Sequence, residues 1–335
     1  MKNGMIVFDA VVHAHDFRDS ALLNDDARYL RDSIHGALDW SVQRGGHIIS
    51  HEAVDAPPSH EWSNRMLFEE SDTDFAMVQT VPLMKLFREG MSPARLSYEL
   101  AQSNPDRYFF CGGVDPLDKG VEAAVDEMDR QYEEWGATSF KFYQAQDMRS
   151  AWRADDEKLA YPLFEKAVKL GIKAVQFHKG LPLGLQRVED LAPNDLQQAA
   201  YDFPNLNFGA HHMGDPYVAE TISIAGRFPN VFIVLPIWFS QYFVQPMEMM
   251  HRLGQCLLLV GPDKLCYGTD AFLWPGVQAY IDMFDSLEML EELQENYGYP
   301  EITDEVRRKI FGENFANMIG IDLEERMKKL AATGA

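Results

Sequence analysis

The chain has 335 residues, with 30 Lys and Arg against 52 Asp and Glu, so its formal net charge is −22. A chain of this length buries roughly three quarters of its unfolded surface and needs no disulfide or structural metal to fold. Hydrophobic residues make up 46% and charged residues 24% of the chain, which excludes a disordered or fibrous protein. The strong acidity argues against a basic face for nucleic acid or for an anionic membrane, so we expect neither as a partner.

Three further features predict a cytoplasmic protein. The cysteines are scattered, odd in number and without the spacing of a metal finger, which is typical of a reducing compartment. Asp9 interrupts the N-terminal apolar run too early for the core of a signal peptide. No stretch reaches the roughly 18 apolar residues of a membrane span. The cysteines are Cys111, Cys256 and Cys266.

Short apolar segments rich in β-formers alternate along the chain with amphipathic segments at helical spacing. The predicted strands cover residues 5–12, 75–81, 108–114, 138–143, 172–177, 206–210, 231–235 and 264–268. The amphipathic segments include residues 121–135, 158–170 and 217–228. Eight strands that alternate with helices are typical of an α/β fold, either a parallel (β/α)₈ barrel or a doubly wound sheet.

The spacing of the strand ends favours the (β/α)₈ TIM barrel. The 255 residues from His15 to Asp270 span seven strand-to-strand steps, about 36 residues for each step. The first step takes about 65 residues instead, so we predict a long, lid-like insertion at about 16–74 over the active face. The charged segment at about 314–332 predicts a closing C-terminal helix, and we expect residues 1–335 to form one domain.

Polar side chains fall at the ends of predicted strands that are distant in sequence. His13 and His15 end the first strand on one face, His178 ends the fifth, His212 the sixth and Asp270 the eighth. Each residue alone has an ordinary explanation, such as a hydrogen-bonded core histidine or a helix N-cap for Asp270. Three of these imidazoles and the carboxylate, at the carboxyl ends of barrel strands, form a ligand set that suits Zn²⁺, Mn²⁺ or Fe²⁺. The sequence therefore predicts a metal site at this face.

Five short motifs occur in order along nearly the whole chain, and two further segments, residues 104–109 and 113–116, lie between them. With this ordered set of motifs, the chain resembles the decarboxylase and hydrolase branch of the metal-dependent amidohydrolase superfamily. That branch includes 2-amino-3-carboxymuconate-6-semialdehyde decarboxylase. The motifs that carry the resemblance are His13-Ala14-His15, His178, His212-Met213-Gly214, Tyr267-Gly268-Thr269-Asp270 and Gly312-Glu313-Asn314-Phe315-Ala316-Asn317.

The resemblance implies a role for each of these polar residues. One divalent metal ion, Zn²⁺ in preference to Mn²⁺ or Fe²⁺, would be bound by His13, His15, His178 and Asp270. His212 would not bind the metal; together with Asp270 it would move protons as the catalytic pair. The resemblance also implies a small-molecule carboxylate substrate and a homodimer.

Some positions depart from the family pattern or add to it. The family's acid lies two residues before the first histidine, whereas Asp9 lies four before His13, which indicates either a bulged strand or a side branch. Lys141 ends the fourth predicted strand, where it would contact the substrate carboxylate, lie behind the metal ligands or, if carboxylated, bridge two metals. In the insertion, His51 and Glu52 either complete such a second site or lie on the surface. A dinuclear site is therefore not excluded.

Aromatic residues follow the seventh and eighth predicted strands and indicate an apolar substrate pocket. Trp238, Phe272 and Trp274 would form its walls, although such residues equally often pack between helices. We therefore expect an enzyme that decarboxylates or hydrolyses a carboxylated aromatic or unsaturated ring compound, using metal-activated water and a His/Asp proton shuttle. The alternatives are a dinuclear non-haem iron oxygenase on the same barrel and a metal-binding module without catalysis.

Overall fold

Eight parallel strands form one sheet in the computed structural model, and their order in the sheet is their order along the chain. The structure describes residues 1–43, 49–273 and 276–333. Nearly every residue of these strands is buried, as expected for a parallel sheet covered by helices. The strands are β1 (Phe8–Val12), β2 (Phe75–Gln79), β3 (Tyr108–Gly113), β4 (Ser139–Phe142), β5 (Ala174–Phe177), β6 (Asn207–His211), β7 (Val231–Val234) and β8 (Leu265–Cys266).

The sheet closes on itself where the chain beyond β8 meets β1. The amide of Ala10 donates to the carbonyl of Tyr267 over 3.1 Å. Further along, the amide of Asp270 donates to the carbonyl of Val11 over 3.0 Å. These bonds join the last strand to the first, and the fold is the predicted (β/α)₈ TIM barrel.

Helices cover the outside of the barrel, and α5 has the bounds predicted from its periodicity. It buries Ala124, Met128 and Gln131, which lie on one helical face. No helix within the described ranges is long and apolar enough to cross a membrane. The helices are α1 (Asp25–Gln43), α2 (His51–Asp55), α3 (His60–Asn64), α4 (Ala94–Gln102), α5 (Val121–Trp135), α6 (Tyr161–Lys169), α7 (Leu196–Asp202), α8 (Val218–Arg227), α9 (Trp238–Tyr242), α10 (Pro246–Leu259), α11 (Val277–Ser286), α12 (Glu291–Tyr297), α13 (Asp304–Arg308), α14 (Asn314–Ile319) and α15 (Leu323–Thr333).

The hydrophobic core lies in three places. The largest part fills the space between the barrel and the outer helices. A second cluster closes the amino-terminal end of the barrel, where the rings of Phe8 and Phe315 meet edge to face at 5.0 Å. A third cluster lies under the insertion, where Leu30 of α1 packs with Phe17 and Phe87. One end of the barrel is therefore sealed by aromatic rings, and the other lies beneath the insertion.

The long connection predicted at about 16–74 is present and largely helical. It contains α1, α2 and α3, followed by a π-helical turn at Arg65–Glu69. The third hydrophobic cluster joins α1 to Val81 and Leu83, which follow β2, and to Tyr143, which follows β4. The insertion therefore lies over the carboxyl ends of the strands.

Gly320 divides the predicted C-terminal helix of 314–332 into α14 and α15. Its φ of +76° lies in the left-handed region, which glycine adopts readily and which ends a helix. At the start of α14, the Asn314 side chain donates to the carbonyls of Pro262 and Leu265 over 2.6 and 2.7 Å. Asn314 thereby attaches the C-terminal helices to the start of β8.

β1 carries an irregularity between Asp9 and Val12. Asp9 pairs with Ala76 while Val12 pairs with Val78, so three steps along β1 face two steps along β2. The long spacing between Asp9 and His13 therefore coincides with a bulged strand, the first of the two explanations considered from the sequence.

Asp9 is fully buried where the barrel closes. Its Oδ2 accepts the Thr269 hydroxyl over 2.5 Å, and its Oδ1 accepts the amides of Thr269 and Val11 over 3.0 and 3.1 Å. Burial raises the pKa of the Asp9 carboxyl to about 7, although these hydrogen bonds act in the opposite direction. The native state therefore favours the protonated acid relative to the unfolded chain.

This raised pKa predicts how the stability of the metal-free protein depends on pH. Between about pH 4 and pH 7 the native state keeps a proton on Asp9 that the unfolded chain has released, so the Asp9 contribution to stability falls as pH rises. Asp9→Asn lacks this equilibrium. As pH rises through this range, the free energy of unfolding of Asp9→Asn should therefore increase relative to that of the wild type, by up to about 1.4 kcal/mol per pH unit. Urea unfolding of both proteins at several pH values measures the difference, and a constant difference would contradict the assignment.

Candidate active site

Five polar side chains from four strands meet at the carboxyl end of the barrel. His13 and His15 follow β1, His178 follows β5, His212 follows β6 and Asp270 lies beyond β8. None is more than 8% exposed, and all five line one cavity of about 380 Å³. The structure thus brings together the residues that the sequence places at the strand ends.

The backbone of β2 fixes the His13 ring. Its Nδ1–H donates to the carbonyl of Gln79 over 2.9 Å, which leaves the lone pair of a neutral ring on Nε2. That Nε2 lies 3.2 Å from Asp270 Oδ1. A lone pair that faces a carboxylate oxygen is repelled by it. The contact is therefore favourable only with a proton on Nε2 or with a cation between the two atoms.

His15 has one ring nitrogen without a hydrogen-bond partner. Its Nδ1 lies 3.1 Å from Ser92 Oγ, whereas its Nε2 is buried and contacts no polar partner within the described ranges. The rings of His13 and His15 lie 5.0 Å apart. An unpaired buried polar atom destabilises a protein by about 1–3 kcal/mol, so Nε2 of His15 is an atom that a ligand would satisfy.

His178 and His212 are in direct contact. The Nε2–H of His178 donates to the Leu181 carbonyl over 2.9 Å, so its Nδ1 carries the lone pair. His212 Nε2 lies 3.1 Å from that Nδ1 and donates to it. The loop after β5 therefore orients His178 with its basic nitrogen turned toward His212.

Burial keeps three of these imidazoles neutral. It lowers the pKa of His15 and of His212 to about 3, and that of His178 to well below its ordinary value. For Asp270, burial raises the pKa, but the hydrogen bond with His13 and the neighbouring histidines outweigh it, so the carboxyl stays ionised. Neutral imidazole and ionised carboxylate are the forms that bind metals.

The donor atoms are arranged in pairs. His13 contacts Asp270, His178 contacts His212, and Nε2 of His15 is unpaired. Within the described ranges, no three His, Cys, Asp or Glu side chains are placed closely enough to hold a metal ion as they stand. An ion that binds here would therefore replace pairwise contacts with contacts to itself.

A polar network inside the barrel supports the site from below. The Lys141 Nζ donates to His211 Nδ1 over 2.6 Å and approaches Gln79 Oε1 at 3.3 Å. His211 Nε2–H donates in turn to Gln176 Oε1 over 2.9 Å. Burial lowers the pKa of the Lys141 ammonium to about 7. Lys141 does not line the cavity; its Nζ is held by His211 and Gln79 beneath it, which agrees with the alternative of a lysine behind the ligands.

His51 and Glu52 do not line the cavity and lie on the surface, the second of the two alternatives considered from the sequence. Both are exposed residues at the start of α2. The Nε2 of His51 lies 2.9 Å from Asp39 Oδ1, and its ring stacks on that of His35 at 4.1 Å. These contacts attach α2 to one face of α1, so His51 helps to hold the insertion together.

Trp238 and Phe272, for which the sequence left lining the pocket and packing between helices equally open, do not line the cavity. Trp238 is 2% exposed and packs in the core, where its Nε1–H donates to the Met249 carbonyl over 3.0 Å. Phe272 packs against the ring of Trp62 at 5.1 Å. Trp274 lies outside the described residues. The first two aromatic side chains therefore join elements to one another instead of lining the cavity.

The insertion supplies one wall of the cavity, which sequence reasoning did not assign to particular residues. Its side chains belong to α1, where, apart from the adjacent Ser33 and Ile34, they follow one another at intervals of three or four and share one face of the helix. That spacing is visible in the sequence, but a helix face that lines a cavity has the mixed composition of a solvated face. The α1 residues at the wall are Tyr29, Ser33, Ile34, Ala37 and Trp40.

Tyr143 is a second wall residue that sequence reasoning missed. It follows β4 directly, lines the cavity, and is 4% exposed. Its ring stacks on that of His178 with 4.7 Å between centroids and 17° between planes. Burial raises the pKa of its phenol well above the ordinary value, so the hydroxyl stays protonated. The signal that singled out Lys141, a polar group at the end of the fourth predicted strand, applies equally to Tyr143.

Left-handed backbone conformations concentrate around the site. Six non-glycine residues within the described ranges have positive φ, and five of them lie here. Each such residue costs roughly 1–2 kcal/mol and persists only where its surroundings enforce it. The five, with φ between +47° and +68°, are Leu181, His212, Met213, Ile237 and Asp270.

A family model described as amidohydrolase matches residues 87–321. No curated protein sequence matches the chain.

Solved structures match almost the whole chain, at identities that establish the fold alone. An uncharacterized TIM-barrel protein from Bordetella bronchiseptica covers 94% of this chain and 100% of its own, with a TM-score of 0.68 and 17% identity. The 5-carboxyvanillate decarboxylase from Novosphingobium aromaticivorans, complexed with manganese and 4-hydroxy-3-methoxy-5-nitrobenzoic acid, covers 96% and 97%, with a TM-score of 0.61 and 14% identity. A probable 2-pyrone-4,6-dicarboxylic acid hydrolase from Acinetobacter baumannii, with citric acid bound, covers 95% and 98%, with a TM-score of 0.57 and 11% identity.

Gly180 begins the loop that orients His178, and the backbone packed against Gly180 leaves no room for a side chain there. Its φ is +62°, and a Cβ built there would lie 2.2 Å from the Asp215 carbonyl oxygen. Gly180→Ala should therefore lower the free energy of unfolding by more than the roughly 1–2 kcal/mol of left-handed strain. It should also displace the neighbouring Leu181 carbonyl, to which His178 donates.

Gly171→Ala is the matched control for this substitution. Gly171 has a similar φ of +77°, but a Cβ there would meet nothing within 4 Å, so only the conformational strain applies. Urea unfolding of both variants beside the wild type measures the two losses. Equal losses would contradict the close backbone approach at Gly180.

Proposed function

The chain belongs to the amidohydrolase family, and we propose that it is a metal-dependent enzyme acting on a carboxylated aromatic or unsaturated ring compound. The observation that carries the proposal is the meeting of His13, His15, His178, His212 and Asp270 in one cavity. The reaction is non-oxidative decarboxylation or hydrolysis, and we favour decarboxylation.

The donor set suits a divalent ion bound by His13, His15, His178 and Asp270. Nε2 of His15 is buried without a partner, and Nε2 of His13 turns its lone pair toward Asp270. Their separation of 3.2 Å lies between the about 3.0 and about 3.4 Å expected for two ligands at about 2.1 Å from one ion with octahedral and tetrahedral angles. Imidazole and carboxylate donors suit zinc, manganese and iron(II). We take Zn²⁺ as the first choice and Mn²⁺, which the Novosphingobium decarboxylase holds, as the second.

His212 and Asp270 are the residues proposed to move protons. A bound divalent ion would supply a Lewis acid for a carboxylate or a water molecule. Burial lowers the pKa of the His212 ring to about 3, so the ring is neutral at rest, while the ionised Asp270 acts in the opposite direction and would stabilise the imidazolium form during proton transfer. The same ring can then return the proton to a leaving oxygen or to the ring carbon that loses carbon dioxide.

The cavity suits an organic acid with an apolar body. Its volume of about 380 Å³ lies within the roughly 300–1,000 Å³ of small-molecule sites. Apolar side chains from both sides line it, among them Ile34 of α1, Leu183, Ile237 and Val244. Because the polar residues at the end of the cavity are buried, charge interactions there are stronger than they would be in solvent.

Decarboxylation and hydrolysis need the same metal ligands, so the choice between them rests on similarity to known enzymes. One structure of this fold is a 5-carboxyvanillate decarboxylase and another a probable 2-pyrone-4,6-dicarboxylic acid hydrolase. The motif order resembles the decarboxylase-containing branch. The dinuclear oxygenase has less support, since Lys141 is held by His211 and the exposed His51 and Glu52 lie on α2.

Single substitutions separate the ligands from the proton-moving residue. His178→Ala and Asp270→Ala should each lose the metal, because each removes one donor from a four-ligand set. His212→Asn should keep the metal but lose turnover by about 10²–10⁴-fold. Metal content per chain, measured beside turnover, checks both statements. A metal-replete His178→Ala would contradict the ligand assignment, and a fully active His212→Asn would contradict the proton role.

The proposal itself is tested by metal content and turnover of protein purified without added metal. We expect about one zinc or manganese per chain, loss of activity on chelation and its return on adding the ion. Carbon dioxide release from 5-carboxyvanillate and ring opening of 2-pyrone-4,6-dicarboxylate distinguish decarboxylation from hydrolysis. About two irons per chain with oxygen uptake would favour the oxygenase instead. Retained ligand binding in His212→Asn, with no turnover by the wild type, would favour the binding module.

A further inference from the structure

We propose that the Tyr143 hydroxyl donates a hydrogen bond to a carboxylate oxygen of the substrate, beside the metal centre. This inference rests on the proposed function and adds a substrate-contacting residue to it. It starts from the position of Tyr143 directly after β4, among the strand ends that supply the other polar side chains.

The Tyr143 ring lies against one of the proposed ligands. It stacks on His178 almost in parallel, with 4.7 Å between the centroids, and both residues line the cavity. A substrate carboxylate held by the ligand set would lie beside the His178 ring. The Tyr143 phenol lines the cavity next to this ring, where the polar end of the cavity meets the apolar wall formed by the hydrophobic cluster under the insertion.

The ring is held in place on several sides. Its backbone carbonyl accepts Gln146 Nε2 over 3.0 Å, and the same nitrogen donates to the Pro82 carbonyl over 3.1 Å. The ring packs in the hydrophobic cluster under the insertion, and the Lys141 Nζ lies 5.3 Å from its centroid. A donor that is already fixed loses little conformational entropy when a ligand binds.

The Tyr143 hydroxyl differs from the serine hydroxyls of the same cavity. Ser33 Oγ donates to the Leu30 carbonyl over 2.6 Å, and Ser240 Oγ donates to the Ile237 carbonyl over 2.9 Å. The Tyr143 hydroxyl makes no such bond to any residue in the described part of the chain. A phenol with an ordinary pKa of about 10 is a neutral donor at physiological pH, and a carboxylate oxygen is a strong acceptor.

Tyr143→Phe removes the hydroxyl and keeps the ring that stacks on His178. We expect metal content and the thermal unfolding midpoint to stay at wild-type values. Benzoate affinity, measured by calorimetry on the metal-loaded protein, should fall by about 10- to 100-fold, and kcat/KM should fall by a similar factor. The loss should be absent for benzyl alcohol, which lacks the carboxylate.

Tyr108→Phe is the matched control. Tyr108 is also 4% exposed, and its hydroxyl is buried without a partner, but it begins β3 at the opposite end of the barrel. This variant should bind benzoate as the wild type does. Equal losses in the two variants would overturn the inference, as would unchanged benzoate affinity in Tyr143→Phe.

The binding measurement also separates this inference from the proposed function. If the wild type binds benzoate but turns over no acid, the proposed reaction fails. A weaker benzoate affinity of Tyr143→Phe would then still support the contact. If the wild type binds no aromatic carboxylate at all, both the proposed function and the role of Tyr143 are overturned.

Discussion

The backbone pairing that joins β1 to the chain beyond β8 is the constraint on which the site depends. His13 and Asp270 are 257 residues apart in sequence, and in an open sheet they would lie at opposite edges. Closure places the Asp270 amide on the Val11 carbonyl and the Thr269 hydroxyl on Asp9, so the two side chains end 3.2 Å apart. The parallel direction of the strands brings all their carboxyl ends to one face, and closure arranges these ends in a ring beneath the insertion.

Beneath this face the barrel interior is polar, and its groups satisfy one another. Gln79 connects the two levels: its carbonyl accepts from His13, and its side-chain oxygen lies 3.3 Å from the Lys141 Nζ. Gln176 accepts from both Gln79 and His211, so one acceptor serves two donors. In a low-dielectric interior such a network is stable only when its members are paired. The orientation of His13 therefore depends on residues that never reach the cavity.

The sequence was sufficient for the barrel and for the meeting of the five polar residues, because parallel strands carry their carboxyl ends to one face. It could not decide whether β1 is bulged, since that depends on pairing with β2. It also could not decide whether Trp238 and Phe272 line the cavity or pack between helices, because an aromatic residue after a strand end gives the same sequence pattern in both cases. The partners that decide this, Met249 and Trp62, are set by tertiary packing. The wall formed by α1 was missed for a related reason, since its composition is that of a solvated helix.

The left-handed residues around the site imply an opposition between stability and geometry. Glycine would adopt the conformations of Met213 and Ile237 without strain, yet bulkier side chains occupy both positions. Selection for stability alone would favour glycine at the partly buried Ile237, whereas glycine at Met213 would remove a side chain from the core. Glycine at His212 or Asp270 would remove the groups that carry the proposed chemistry. A laboratory selection for more heat-resistant variants should therefore recover substitutions around the site. The backbone around the site would then be free to move. The strained conformations therefore lower the thermal stability of the chain while they fix the positions of its histidines.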